Sequence, residues 1–181
     1  EIKAADVKAL REKTGAGMMD CKKALIECGG DFSKAEKLLK EKGLAALEKR
    51  ADRATNEGKI FIKIQGNKAA IAELASETDF VARNDEFIQV GNEIVSRMTA
   101  KNIDSVTDEL SGLLADLATK IRENMSVKRV LLLNAKENES FTSYSHGDGT
   151  IGVIVQLAAE SAEALQNEKV KALAFDLALH I

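Results

Sequence analysis

Apolar positions along the chain recur at two spacings, and the switch between them divides it. Up to residue 43 they fall three and four apart, the spacing of helices with one buried face. A first helix over residues 4–13 turns Val7 and Leu10 inward and closes on Gly15 as a left-handed cap. A second, over residues 18–28, carries an inward stripe of Met18, Cys21, Leu25 and Cys28. Its other side holds Met19, Lys22, Lys23 and Ile26, unusually apolar for an exposed face, and Gly29-Gly30 stops it. A third opens with Ser33 and Glu36 as a reciprocal capping box, faces Ala35, Leu38 and Leu39 inward and ends at Gly43. Residues 44–56 read as a charged helical linker. About forty residues make a small core, so this bundle is expected to lean on a neighbour or to serve as a docking module.

From Lys59 the period becomes two. Residues 59–64 alternate as a strand, Gly66-Asn67 makes a tight turn, and residues 68–76 return antiparallel as a half-buried strand. Helical spacing resumes with Phe87, Val90, Ile94 and Met98 over residues 84–100. It continues over 104–124 with Leu110, Leu113, Leu114, Leu117 and Ile121. Residues 126–133 are rich in β-formers and complete a three-stranded sheet. Between the second strand and the long helix lies Thr78-Asp79-Phe80-Val81. Asp79 can cap the helix start, or Asn84 a slightly later one. Phe80 lies at the corner and has two readings: a core residue seven positions from Phe87 on the same face, or an outward contact residue.

The order of elements then begins again. Residues 140–145 and 150–158 read as strands around the turn His146-Gly147-Asp148-Gly149, and residues 162–181 as a helix. A shift of 83 residues lays Leu74 on Leu157, Phe87 on Val170, Val90 on Leu173 and Ile94 on Leu177, as a duplicated ββα unit would. In the second copy Ser161 and Glu163 take the places of Thr78 and Phe80, so the corner motif is not needed to build the unit. The expected fold is α+β, with three parts: a three-helix bundle and linker helix over residues 1–53, a three-stranded antiparallel sheet with helices over 54–135, and a second sheet-and-helix unit begun over 136–181. Stopping within a helix, before a third strand, suggests a fragment whose natural chain continues.

Composition narrows the function classes. Hydrophobic residues make up 45% and charged residues 30% of 181, which argues for a folded chain. The net charge of −3 gives no general attraction to nucleic acid or anionic membrane. Residues 1–53 carry 13 basic and 10 acidic side chains, too small an excess to signal RNA binding alone. No apolar run reaches the length of a membrane span and no basic, apolar-cored leader opens the chain, so a cytoplasmic location is expected. Cys21 and Cys28 lie about 10 Å apart along one helix, too far for a disulfide, and are expected reduced and buried. Neither His146 nor His180 has a partner at catalytic or metal-ligand spacing. Thr14-Gly15-Ala16-Gly17 lacks the Gly-Lys-Ser/Thr of a phosphate loop and reads as a helix stop followed by a helix start. With no catalytic centre and no cofactor site in view, function must rest on binding; the chain is not expected to be an enzyme.

Two blocks, LREKTGAGMMDCKKAL (residues 10–25) and ETDFVARND (residues 77–85), together resemble bacterial translation elongation factor Ts. The resemblance extends over essentially the whole chain through KIRENMSVKRV (residues 120–130) and YSHGDGTIGVIV (residues 144–155). It implies a ubiquitin-associated-like helical domain followed by a core of two related subdomains. It also implies a guanine-nucleotide exchange factor for elongation factor Tu, alone or in a homodimer or 2:2 complex. By motif, Asp79 and Phe80, with Thr78 and Val81 beside them, would be the group that intrudes on the partner's nucleotide site. Arg11, Met18, Met19 and Lys22 would dock on its base-binding side. Met19 and Lys22 are the favoured direct contacts, because the helical wheel turns Met18 inward. Ile121 and Arg122 fall where the family makes further contacts, Arg122 replacing a position often held by Gly. His146 resembles a turn histidine that reaches toward the partner's barrel domains. The other reading is a generic protein-recognition module built on the helical bundle.

Overall fold

A computed structural model describes residues 2–181. The N-terminal bundle comprises α1 (Ala4–Thr14), α2 (Met18–Glu27) and α3 (Phe32–Glu48). Gly15, at φ +67°, caps α1 in the left-handed region, and its N–H returns to the Arg11 carbonyl. Val7, Leu10, Cys21, Ala24, Leu25 and Ala35 form the bundle's core. Cys28 is only half-buried, because Ala24 takes the inward place on the last turn of α2.

Two expectations for α3 are corrected. Its cap is Asp31, whose carboxylate accepts from the Lys34 N–H at 3.0 Å, in place of Ser33. That hydrogen bond holds the Asp31 carboxyl below its usual pKa. The helix also runs through Gly43 to Glu48. Glycine at 43 is a packing requirement: a Cβ there would lie 2.7 Å from the Thr119 methyl on the neighbouring helix α6 (Asp108–Ile121). Close approach of α3 to α6 thus fastens the small bundle to the rest of the protein, and only residues 49–56 remain as turns and irregular chain.

The first sheet has the order β1-β2-β3, all antiparallel, from β1 (Glu57–Gln65), β2 (Lys68–Ser76) and β3 (Met125–Asn134). Its central strand β2 is buried more fully than its sequence pattern implies, because both faces are covered. Phe61, Ala70, Ala72 and Leu74 face α5 (Asp85–Lys101) and α6, where Phe87, Ile94, Met98, Leu110 and Leu114 complete the main core. On the other face Ile60 and Ile62 meet the second sheet, β4 (Glu139–His146) paired antiparallel with β5 (Ile151–Ala158). Contact is close enough that a Cβ on Gly152 would lie 2.3 Å from Ile60 Cγ2. Alanine at four buried positions of β2 is what lets layers pack on both sides.

The second unit ends in α7 (Glu168–His180), which starts later than expected, after a 3₁₀ turn at Ala164–Gln166. Its buried residues are Ala174 and Ala178, with Leu173 and Leu177 exposed. The 83-residue shift matches the helix face only in part: it lays buried Gly91 on Ala174 and buried Val95 on Ala178, but fully buried Ile94 on exposed Leu177. The second unit therefore repeats the ββα order with a thinner core.

Candidate functional site

The corner after β2 divides what the sequence left as one helix start into two. One short turn, α4 (Asp79–Ala82), is capped by Thr78, whose Oγ1 accepts from the Val81 N–H at 3.4 Å. Asn84 then caps α5, accepting from the N–H groups of Glu86 and Phe87 at 2.8 and 3.4 Å. Asp79 is not a cap. It is the first residue of α4, and its carboxylate lies 3.5 Å from the Arg83 guanidinium.

This break decides between the two readings of Phe80. With separate helices, Phe80 no longer shares a face with Phe87. Phe87 is fully buried against Phe61, with ring centroids 6.0 Å apart, while Phe80 is 81% exposed. Val81 and Ala82 turn inward in its place. Val81, expected among the partner contacts, is 5% exposed and belongs to the protein's own core, so its part is to anchor the corner from beneath. The ring thus stands in solvent on a corner whose next two residues face the core.

A second exposed apolar group lies on α2. Met19 is 61% exposed and Ile26 is also exposed, at i and i+7, with Lys22 and Lys23 between them. Met18, expected inward, is 43% exposed: it is the first residue of α2, and the fully buried stripe of that helix starts one turn later, at Cys21. Arg11 is exposed on the neighbouring α1. All four basic or apolar residues expected here are therefore at the surface, and Ile26 joins them.

The end of α6 lies beside α2. Arg122 closes α6 at φ +68° and donates from Nη2 to Asp20 Oδ2 at 3.0 Å, while Ile121 is half-buried against the main core. His146 stands apart, on the last residue of β4, exposed and opposite exposed Ile151. Its Nδ1 lies 2.8 Å from the Tyr144 hydroxyl, and Tyr144 in turn meets Phe175 of α7 edge-on. Ile151 was missed by sequence reasoning, although its β-pairing partner is His146 in any antiparallel hairpin closed by residues 147–150.

Among the described residues, no group of three or more His, Cys, Asp or Glu is placed to hold a metal ion, and no helix is long and apolar enough to cross a membrane.

A family model described as Elongation factor TS matches residues 77–181. The chain is 51% identical over 180 residues to elongation factor Ts of Treponema denticola, covering 99% of this chain and 64% of that relative. It is 44% identical over 191 residues to the elongation factor Ts of Treponema pallidum strain Nichols (99% and 66%) and 43% identical over 190 residues to that of Bdellovibrio bacteriovorus (99% and 62%). The chain thus spans just under two thirds of the length of these curated relatives.

Proposed function

The chain belongs to the elongation factor Ts family, and on that footing we propose that it is a guanine-nucleotide exchange factor acting on elongation factor Tu in the cytoplasm. It binds that partner, promotes GDP release and stabilises the nucleotide-free state. The observation that carries this reading is Phe80, a large apolar ring 81% exposed on a capped corner whose neighbours Val81 and Ala82 are buried.

The mechanism is linkage. Guanine nucleotides are held by backbone N–H groups around the phosphates and by Mg²⁺. A protein that binds the empty state more tightly than the filled one must lower nucleotide affinity by the factor that nucleotide lowers its own. Burying the Phe80 ring in the partner offers about 1.5–3 kcal/mol, enough to bias a phosphate-binding loop yet too little for a firm complex. Asp79 enters beside it. Met18, Met19 and Lys22 on α2, with Arg11, supply a second contact. Ile121 and Arg122 border that contact, and His146 with Ile151 supplies a third on the second sheet. Holding these on one folded frame lets a weak wedge act at high effective concentration.

The test is release of a fluorescent GDP analogue from elongation factor Tu with and without the 181-residue chain. Acceleration that saturates with chain concentration supports the reading. Release at the unassisted rate, at concentrations where the two proteins co-purify, overturns it in favour of a recognition module without exchange activity.

A further inference from the structure

The exposed Phe80 ring stands on a helix of one turn, too short to hold its own shape in water. Besides the buried Val81 and Ala82, what holds it is a three-residue turn far away in sequence, residues 122–124, between α6 and β3. The Thr78 hydroxyl lies 3.1 Å from both carboxylate oxygens of Glu123 and donates to them. Asn124 donates its backbone N–H to Glu77 Oε1 at 2.6 Å. The two residues at the exit of β2 are therefore each fastened to a residue of that turn. Ser76, fully buried, donates from Oγ to the Thr78 carbonyl at 2.9 Å and fixes the strand end beneath them.

The same turn also reaches the bundle. Arg122 pairs with Asp20 on α2, and the Asn124 side chain donates to the carbonyls of Ala51 and Arg53, which follow α3, at 3.3 and 2.9 Å. Each residue of the turn thus makes a tie of its own: Arg122 to α2, Glu123 to the Phe80 corner, and Asn124 to the corner and to the chain that follows α3. We infer that residues 122–124 form a positioning block that holds the Phe80 corner in one frame with the α2 surface, and that Glu123 is the residue through which it acts on Phe80. This rests on the exchange-factor reading for its functional consequence, though not for its structural one.

The chemistry of Thr78 makes the inference separable from helix capping. A hydroxyl has one donor and two acceptor sites. At Thr78 the acceptor serves Val81 and the donor serves Glu123, an acceptor-only carboxylate when ionised. Aspartate at 78 can keep the cap but places a second anion against Glu123, whereas serine keeps both bonds.

The experiment measures GDP release from elongation factor Tu as a function of factor concentration, with backbone hydrogen exchange of the free chain beside it. Glu123→Ala is expected to lower the second-order exchange rate roughly three- to tenfold, as when one side chain must be ordered on docking. Glu123→Gln, which still accepts from Thr78, should stay within about twofold of the native rate, a difference too small to mark loss of an interaction. Thr78→Asp should resemble Glu123→Ala. In a Phe80→Ala background, Glu123→Ala should add less than about twofold, because the two act through one group. Amides of residues 79–83 should exchange faster in the free Glu123→Ala chain. The inference is overturned if Glu123→Ala matches the native chain while Phe80→Ala is impaired, or if its effect is undiminished without the ring. Unchanged protection of residues 79–83 overturns it whatever the exchange assay gives. Loss of the wedge effect with altered protection would instead count against the exchange-factor reading alone.

Discussion

The two sheet-to-helix corners of this protein solve one folding problem with different residues. Under the 83-residue shift Asn84 falls on Asn167, and both cap the long helix of their unit through the side-chain carbonyl. Ala82 falls on Leu165, and both are buried. Phe80 falls on Glu163, and both are exposed. The second corner thus places a charged residue in water where the first places an aromatic ring. Since the architecture accepts glutamate at that place, the phenyl ring at the first corner is not there to build the fold. On the exchange-factor proposal, that ring is the surface offered to the partner.

The units also differ in how firmly their helices are held, and this sets the largest expected effect. Phe87→Ala removes a fully buried ring that packs on Phe61 and should cost about 3–5 kcal/mol in urea denaturation. Its counterpart Val170→Ala, at a half-buried place on α7, should cost about 1 kcal/mol or less. Equal losses would mean that the second unit is as tightly cored as the first.

Next in size are the matched caps. Asn84→Ala and Asn167→Ala should each cost about 1 kcal/mol, with the larger loss at Asn84, which satisfies two N–H groups where Asn167 satisfies one. A reversed order would show that the two corners are not equivalent in the way their register implies.

The smallest effect is electrostatic and confined to the first unit. Hydrogen bonds from Lys101 and Arg97 hold the Glu109 carboxyl below its usual pKa, tying α5 to α6. A folded-state pKa below the unfolded value means the contribution is present above the ordinary carboxylate range and fades as pH falls through the lowered value. Glu109→Gln should therefore lower stability slightly at neutral pH and flatten its loss on acidification, read from denaturation midpoints across the acid range.

Much of this arrangement was legible in the sequence because it depends on local periodicity. The strands, the Gly66-Asn67 turn, the buried face of α5 and the Gly15 cap all follow from spacing and side-chain type within a few residues. What the pattern misplaced depends on distant partners. Gly43 reads as a helix stop unless Thr119, on another helix, is known to press against it. Met18 has inward spacing, yet it stands 43% exposed at the start of α2, where helical periodicity carries least information about its surroundings. The tie between Thr78 and Glu123 spans 45 residues, so no local rule proposes it. Phe80 itself stayed open between two readings, because spacing from Phe87 predicts a shared face only if one helix contains both. Asn84 capping a separate helix is the detail that removes that premise.

The most direct test exchanges the two corners. Phe80→Glu, which gives the first corner the residue that the second already carries, should leave the unfolding free energy within about 0.5 kcal/mol of the native chain. With Phe80→Ala as the parallel truncation, GDP release from elongation factor Tu at subsaturating factor should fall roughly ten- to hundredfold, the range set by burying one phenyl ring. A folded Phe80→Glu chain that still releases GDP at the native rate would contradict the account.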